Sequence, residues 1–140
     1  MMITELTIEY AEARRALDAI YAEVVTRGKA GVIAVCDAHG ELIAFARMDG
    51  APFSSIAIAM NKAYSAARER KPSYEIGKAA RNAEKGFDVG YFGDPRFTGW
   101  GGGVPVKKDG RVVGAIAVSG LPQLEDIELA EMGAAVISGE

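Results

Sequence analysis

Thr98 to Gly120 reads TGWGGGVPVKKDGRVVGAIAVSG, a glycine-dense lead-in followed by two apolar segments that Asp109-Gly110 separates. An Asp-Gly pair between apolar runs is a strong hairpin signal, because both central residues of a type I′ turn need positive φ. Antiparallel strands are therefore predicted over Gly103 to Lys108 and Arg111 to Val118. Gly114, Ala115 and Ala117 leave the second strand thin, so another backbone, a helix or a flat ligand can approach it closely. In the lead-in, Gly99, Gly101, Gly102 and Gly103 surround Trp100, the only tryptophan. Ordering so many glycines loses entropy that some interaction must offset, and this makes the segment the first pointer to a site. Trp100, Gly101, Gly102 and Gly103 are candidate ligand-binding residues, and Thr98 and Ser119 offer hydroxyls at the two ends of the hairpin.

Upstream, Tyr10, Ala13, Leu17, Ile20, Tyr21 and Val24 follow helical spacing, with Thr7 as a cap and Gly28 as a stop. Gly31 to Asp37 and Glu41 to Met48 are apolar runs joined by Ala38-His39-Gly40, a second hairpin. Ser54 or Ser55 caps a helix whose Ile56, Ala59, Met60, Ala63 and Ala67 form a small-residue face suited to close packing on a sheet. Lys71-Pro72 ends it, and a short helix is predicted from Ser73 with Ile76, Ala79, Ala80 and Ala83 inward. Gly86 to Arg96 reads as loop, yet Phe87, Tyr91, Phe92 and Phe97 are too many aromatics for idle solvent exposure and should cover core or a partner subunit. Pro122 opens a last helix with Leu124, Ile127, Ala130, Ala134 and Ile137 inward. Two hairpins with helices at both ends imply an α+β domain over residues 1–140, an antiparallel sheet with helices packed on it.

A chain of 140 residues, 49% hydrophobic and 25% charged, can hold one core without staples. Its net charge of −3 argues against nucleic acid or an anionic membrane as the main partner. The single cysteine and an N-terminus without basic and long apolar regions point to a reducing cytoplasm.

Residue supply limits the chemistry. With His39 and Cys36 alone, no His/Cys zinc site can form within one chain, and the glycine run lacks the Gly-Lys-Ser/Thr of a phosphate loop. His39 falls in a turn and Cys36 in a buried strand. Lys62 lies between inward-facing alanines and either snorkels to solvent or points along a pocket edge. Arg47 and Asp49 close the second strand, as a surface pair or as groups orienting a polar ligand. Glu84, beside the aromatic loop, is a candidate general base. Lys62, Arg47 and Glu84 are thus the candidate catalytic residues if the protein is an enzyme acting on a carboxylate substrate. The other readings are a small-ligand-binding protein and an assembly subunit.

Three stretches resemble the GlcG/HbpS-like family of haem-degrading or haem-binding domains, which also forms the C-terminal domain of PduO-type proteins. They are VCDAHGELIAFARMDGA from Val35 to Ala51, AMNKAYSA from Ala59 to Ala66, and GGGVPV with VVGAIAVSG between Gly101 and Gly120. The resemblance covers nearly the whole chain. It implies a sheet of about five antiparallel strands flanked by helices in a profilin-like three-layer arrangement, with a short fifth strand near Arg96 to Thr98. It also implies homo-oligomers and a pocket for haem or a related tetrapyrrole near the glycine segment.

Overall fold

In the computed structural model, which describes residues 1–139, the order is α1 (Tyr10–Thr26), β1 (Val32–Asp37), β2 (Leu42–Arg47), α2 (Ser55–Glu69) and α3 (Ser73–Ala80). A 3-10 turn (Val89–Phe92), β3 (Gly103–Lys108), β4 (Arg111–Ser119) and α4 (Gln123–Ser138) follow. Asp109 and Gly110 take φ of 52° and 75°, so the Asp-Gly turn forms where its residues demand it. The sheet runs β2-β1-β4-β3, antiparallel throughout. Val32 pairs with Arg47 on one side and Ser119 on the other, and Gly103 pairs with Ala117. The ends of β2 and β4 and the start of β3 therefore share one end of the sheet. The β1–β2 turn with His39 and the β3–β4 turn share the other.

Two cores sandwich the sheet. On one face Ile20 and Val24 of α1 and Leu129 and Ala130 of α4 pack on Ile33, Val35, Ile116 and Val118. On the other, α2 presents Ala59, Ala63, Ala66 and Ala67 to Val32, Ala34, Ala115 and Ala117, so the thin β4 is covered by an equally thin helix face. This is the three-layer α+β arrangement, with four strands among the described residues. The segment proposed as a fifth strand is held by a helix instead, since the Thr98 N–H donates to Ser65 Oγ of α2 at 2.9 Å.

Other boundaries move for identifiable reasons. Helix α1 starts at Tyr10 behind a Glu9/Glu12 capping box, while the Thr7 hydroxyl bonds the Val113 carbonyl and accepts from the Ala38 N–H, tying the N-terminal arm to the sheet. Tyr10 and Tyr21 face outward rather than into the core. In α4 the inward residues are Asp126, Leu129, Ala130, Gly133 and Ile137, and Leu124 is exposed. The α3 face narrows to Ser73, Ile76 and Gly77, and the helix ends before Ala83. The aromatic loop folds onto α2. Phe97 packs edge-on against Tyr64 and stacks on Phe92, and Phe87 meets Phe92 edge-on. The Tyr64 hydroxyl donates to Asp94, which Arg96 holds well below the usual carboxylate range. Tyr91, by contrast, is 83% exposed. No described helix is long and apolar enough to cross a membrane.

Leu129 is fully buried between α1, α4 and the sheet. Leu129→Ala should lower unfolding stability by about 2–5 kcal/mol, read as a lower urea midpoint at unchanged slope, since transfer and cavity costs add. A shift under about 1 kcal/mol would show that α4 collapses onto the gap.

Candidate functional site

Lys62 sits on the inward face of α2 among alanines whose side chains are too short to shield it from β4, and its residue is only 1% exposed. Burying an ammonium requires partners. Here they come from the far side of the sheet end, where Lys62 Nζ donates to the Val118 carbonyl at 3.0 Å and to Asp126 Oδ2 of α4 at 3.2 Å. Asp126 Oδ1 in turn accepts the Leu121 N–H at 3.1 Å. Burial outweighs this pairing in both partners, pushing Asp126 up to about 6 and Lys62 below its ordinary value.

The glycine segment is threaded over this pair. Gly102 has φ of 127°, and a Cβ there would lie 2.7 Å from Lys62 Nζ and 2.6 Å from the Val118 carbonyl oxygen. A side chain at Gly103 would overlap the Lys62 carbonyl. The backbone is fixed on both sides. The Ser73 hydroxyl, at the start of α3, donates to the Trp100 carbonyl at 2.7 Å and accepts the Gly103 N–H at 3.0 Å. Gln123 Oε1 accepts from the Gly101 N–H at 2.9 Å, and the Val118 N–H donates to the Gly102 carbonyl at 3.0 Å. These protein groups offset the ordering entropy of the glycines.

Trp100 emerges from the clamped backbone with its residue 57% exposed and its ring centroid 5.9 Å from Lys62 Nζ. It lines an open cleft of about 490 Å³ to which the glycine segment and α4 contribute Thr98, Gly99 and Gln123, and α3 and the loop after it contribute Gly77, Ala80, Arg81 and Val89. Gly77 and Gly99 touch backbone to backbone, and any Cβ on Gly77 would overlap the Gly99 carbonyl. Arg81 makes no ion pair among the described residues. The cleft thus combines an aromatic face, a narrow floor of small residues and one uncommitted guanidinium.

Of the residues singled out in the sequence, the structure gathers Thr98, Trp100, Gly101, Gly102, Gly103 and Lys62. Lys62 lies beneath the segment with its charge already met. Ser119 is buried at the end of β4. Arg47 and Asp49 are exposed at the same end of the sheet but on its opposite edge, three inter-strand steps or roughly 14 Å from β3. Arg47 instead lies over the Phe53 ring. Glu84 is exposed in the turn after α3, where its N–H donates to Asn82. Cys36 is buried, donates to the Ala63 carbonyl, and has its thiol pushed up to about 12 by burial. His39 is exposed at the other end of the sheet, beside Glu5. Asp126, Ser73, Gln123, Gly77 and Arg81 were not singled out. Pro122 and Pro72 mark the helix starts that deliver Gln123 and Ser73, but no spacing rule links them to the glycines.

Residues 8–135 match the family model described as haem degrading protein HbpS-like. The chain belongs to the HbpS-like family. A 15.0 kDa protein in the dhaT–dhaS intergenic region of Citrobacter freundii is 34% identical over 125 residues, 89% of this chain and 88% of that one. Among solved structures, the Klebsiella pneumoniae protein ORFY superposes with a TM-score of 0.90 at 30% identity over 99% of this chain and 96% of its own. The haem complex of PduOC superposes with a TM-score of 0.87 at 20% identity, covering 94% and 96%, and shares the fold.

Because burial raises Asp126 above the unfolded value of about 3.9, the folded protein binds more protons than the unfolded chain between about pH 4 and 6. This group's contribution to stability therefore grows as pH falls through that window. The difference in melting temperature between wild type and Asp126→Asn should shift in favour of the wild type from pH 7 to pH 4.5. A shift in the other direction would show that the Lys62 ion pair outweighs burial.

Proposed function

We propose that this HbpS-like protein binds a planar, carboxylate-bearing small molecule of the tetrapyrrole class in the cleft between α3 and the glycine segment. The observation that carries the reading is Trp100, an exposed indole on a backbone clamped from both sides, which lines a cleft together with small residues and with Arg81, a guanidinium in no ion pair among the described residues. A rigid aromatic face stacks a flat ring at little entropic cost, and a guanidinium recognises carboxylates by paired hydrogen bonds. The haem-degrading description of the family and the haem bound by PduOC support the ligand class.

The lining does not fit haem in one respect. Its residues supply no imidazole, thiolate, thioether or phenolate to ligate iron, and His39 lies at the opposite end of the sheet. Recognition in this cleft therefore rests on the ring and its carboxylates rather than on the metal. The enzymatic reading, with Lys62, Arg47 or Glu84 acting on a carboxylate substrate, has weaker support because the fold disperses these three groups.

Titrations with hemin and with metal-free protoporphyrin IX test this through the single tryptophan. Both should quench Trp100 emission saturably, with dissociation constants within about threefold of each other. Arg81→Met should weaken both by about tenfold or more, the equivalent of a charge-assisted hydrogen bond of about 1.5–3 kcal/mol. Tight hemin binding without porphyrin binding would place an iron ligand elsewhere and contradict the reading.

A further inference from the structure

At the end of the sheet away from the cleft, helix α2 closes on Arg70 in the left-handed region, with φ of 59° and ψ of 30°. Asp109 is the one other described non-glycine residue with positive φ, and its hairpin turn demands it. Nothing at the helix end demands an arginine, because glycine takes this conformation at no steric cost. An arginine held in it implies a task for the side chain.

The guanidinium is fastened across both hairpins. Arg70 Nη1 donates to the Ala38 carbonyl in the β1–β2 turn at 3.0 Å and to the Val112 carbonyl of β4 at 3.3 Å. These two bonds are enough for a structural cap. They leave Nε and Nη2 without an acceptor among the described residues, where Arg70 also makes no ion pair. The Nε and Nη2 edge is the fork that takes both oxygens of a carboxylate in parallel hydrogen bonds.

Arg70 lines an open cavity of about 290 Å³ together with Arg111, the first residue of β4, which is exposed and in no ion pair among the described residues. Ile3 and Leu6 of the N-terminal arm, with Ala38 and Val112, supply the apolar part of its wall. The arm is held beside it by the Thr7 hydroxyl and by the Ile8 N–H, which donates to the Val113 carbonyl at 3.0 Å. Glu5 is the one carboxylate of the lining, and it is paired with His39 Nε2. The cavity thus carries two guanidiniums against one carboxylate, in a chain whose net charge is −3. Like charges around a small space repel, and an anion between them turns that repulsion into attraction.

We propose that this cavity is a second binding site, for a small monocarboxylate with an apolar body. Arg70 Nε and Nη2 and the Arg111 guanidinium hold the carboxylate, and the hydrocarbon part lies against Ile3, Leu6 and Val112. An inorganic anion would engage the guanidiniums and leave that apolar wall unused. The site lies at the opposite end of the sheet from Trp100 and does not depend on what the cleft binds.

Benzoate titrated into the isotope-labelled full chain tests the proposal, with benzamide as its uncharged counterpart. Benzoate should shift the amide resonances of residues 3–6, 38, 70, 111 and 112 saturably, with a dissociation constant of about 1 mM or lower. Hexanoate should shift the same set and compete with benzoate, whereas benzamide should bind about tenfold more weakly or worse. Arg111→Gln should weaken benzoate by about tenfold. Arg70→Gly suits the left-handed helix end and removes the fork, so it should abolish these shifts while its melting curve shows a folded chain. Arg81→Met, in the cleft, should leave them unchanged. Benzamide binding as well as benzoate, no saturable shift of these amides, or shifts confined to the Trp100 cleft would overturn the proposal. So would wild-type affinity for benzoate in Arg111→Gln.

Discussion

A buried ammonium fixes the arrangement of this protein's sheet end. Lys62 reaches the Val118 carbonyl and Asp126 across the end of the sheet, and three separate elements, α2, β4 and α4, meet at its nitrogen. An ion pair taken out of water contributes little net stability, but it penalises every arrangement in which one partner is left alone. Its effect is geometric: α4 is held in register against α2 through a sheet that otherwise separates them. The only backbone that fits over the nitrogen is glycine, and at Gly102 only in a conformation that other residues rarely adopt.

The cleft follows from that constraint. With Gly102 and Gly103 lying on Lys62, the chain before them must run along α3, where Gly77 admits the Gly99 carbonyl at backbone contact. Ser73 and Gln123, each at the start of a helix, fix the segment. Trp100 is what remains free to face solvent. The HbpS-like family supplies the expectation of a tetrapyrrole, while the residues themselves supply a stacking face and one guanidinium without an iron ligand.

Much of the architecture was legible because its signals are local. Asp109-Gly110 dictated its own turn, the two apolar runs around Ala38-His39-Gly40 dictated theirs, and the alanine face of α2 matched the thin strand that it covers. The glycine segment was also legible as a place where ordering needs compensation. Its partners were not, because Ser73, Gln123 and Asp126 are ordinary helix-start residues whose role depends on tertiary placement. Asp126 is the clearest case. A carboxylate in a first helical turn reads as solvated charge, and nothing in its neighbourhood shows that a lysine 64 positions away turns it inward. That inward turn shifts the buried face of α4 away from Leu124. The fifth strand expected from the resemblance failed for a similar reason, since Ser65 engages the Thr98 N–H that a ladder would need.

The most direct test of the account is a crystal structure of the protein grown with protoporphyrin IX. The account predicts the macrocycle stacked on Trp100 with a propionate at Arg81 and the glycine segment unmoved over Lys62. A porphyrin seated at the His39 end of the sheet, or a glycine segment that leaves Lys62 when ligand binds, would contradict it.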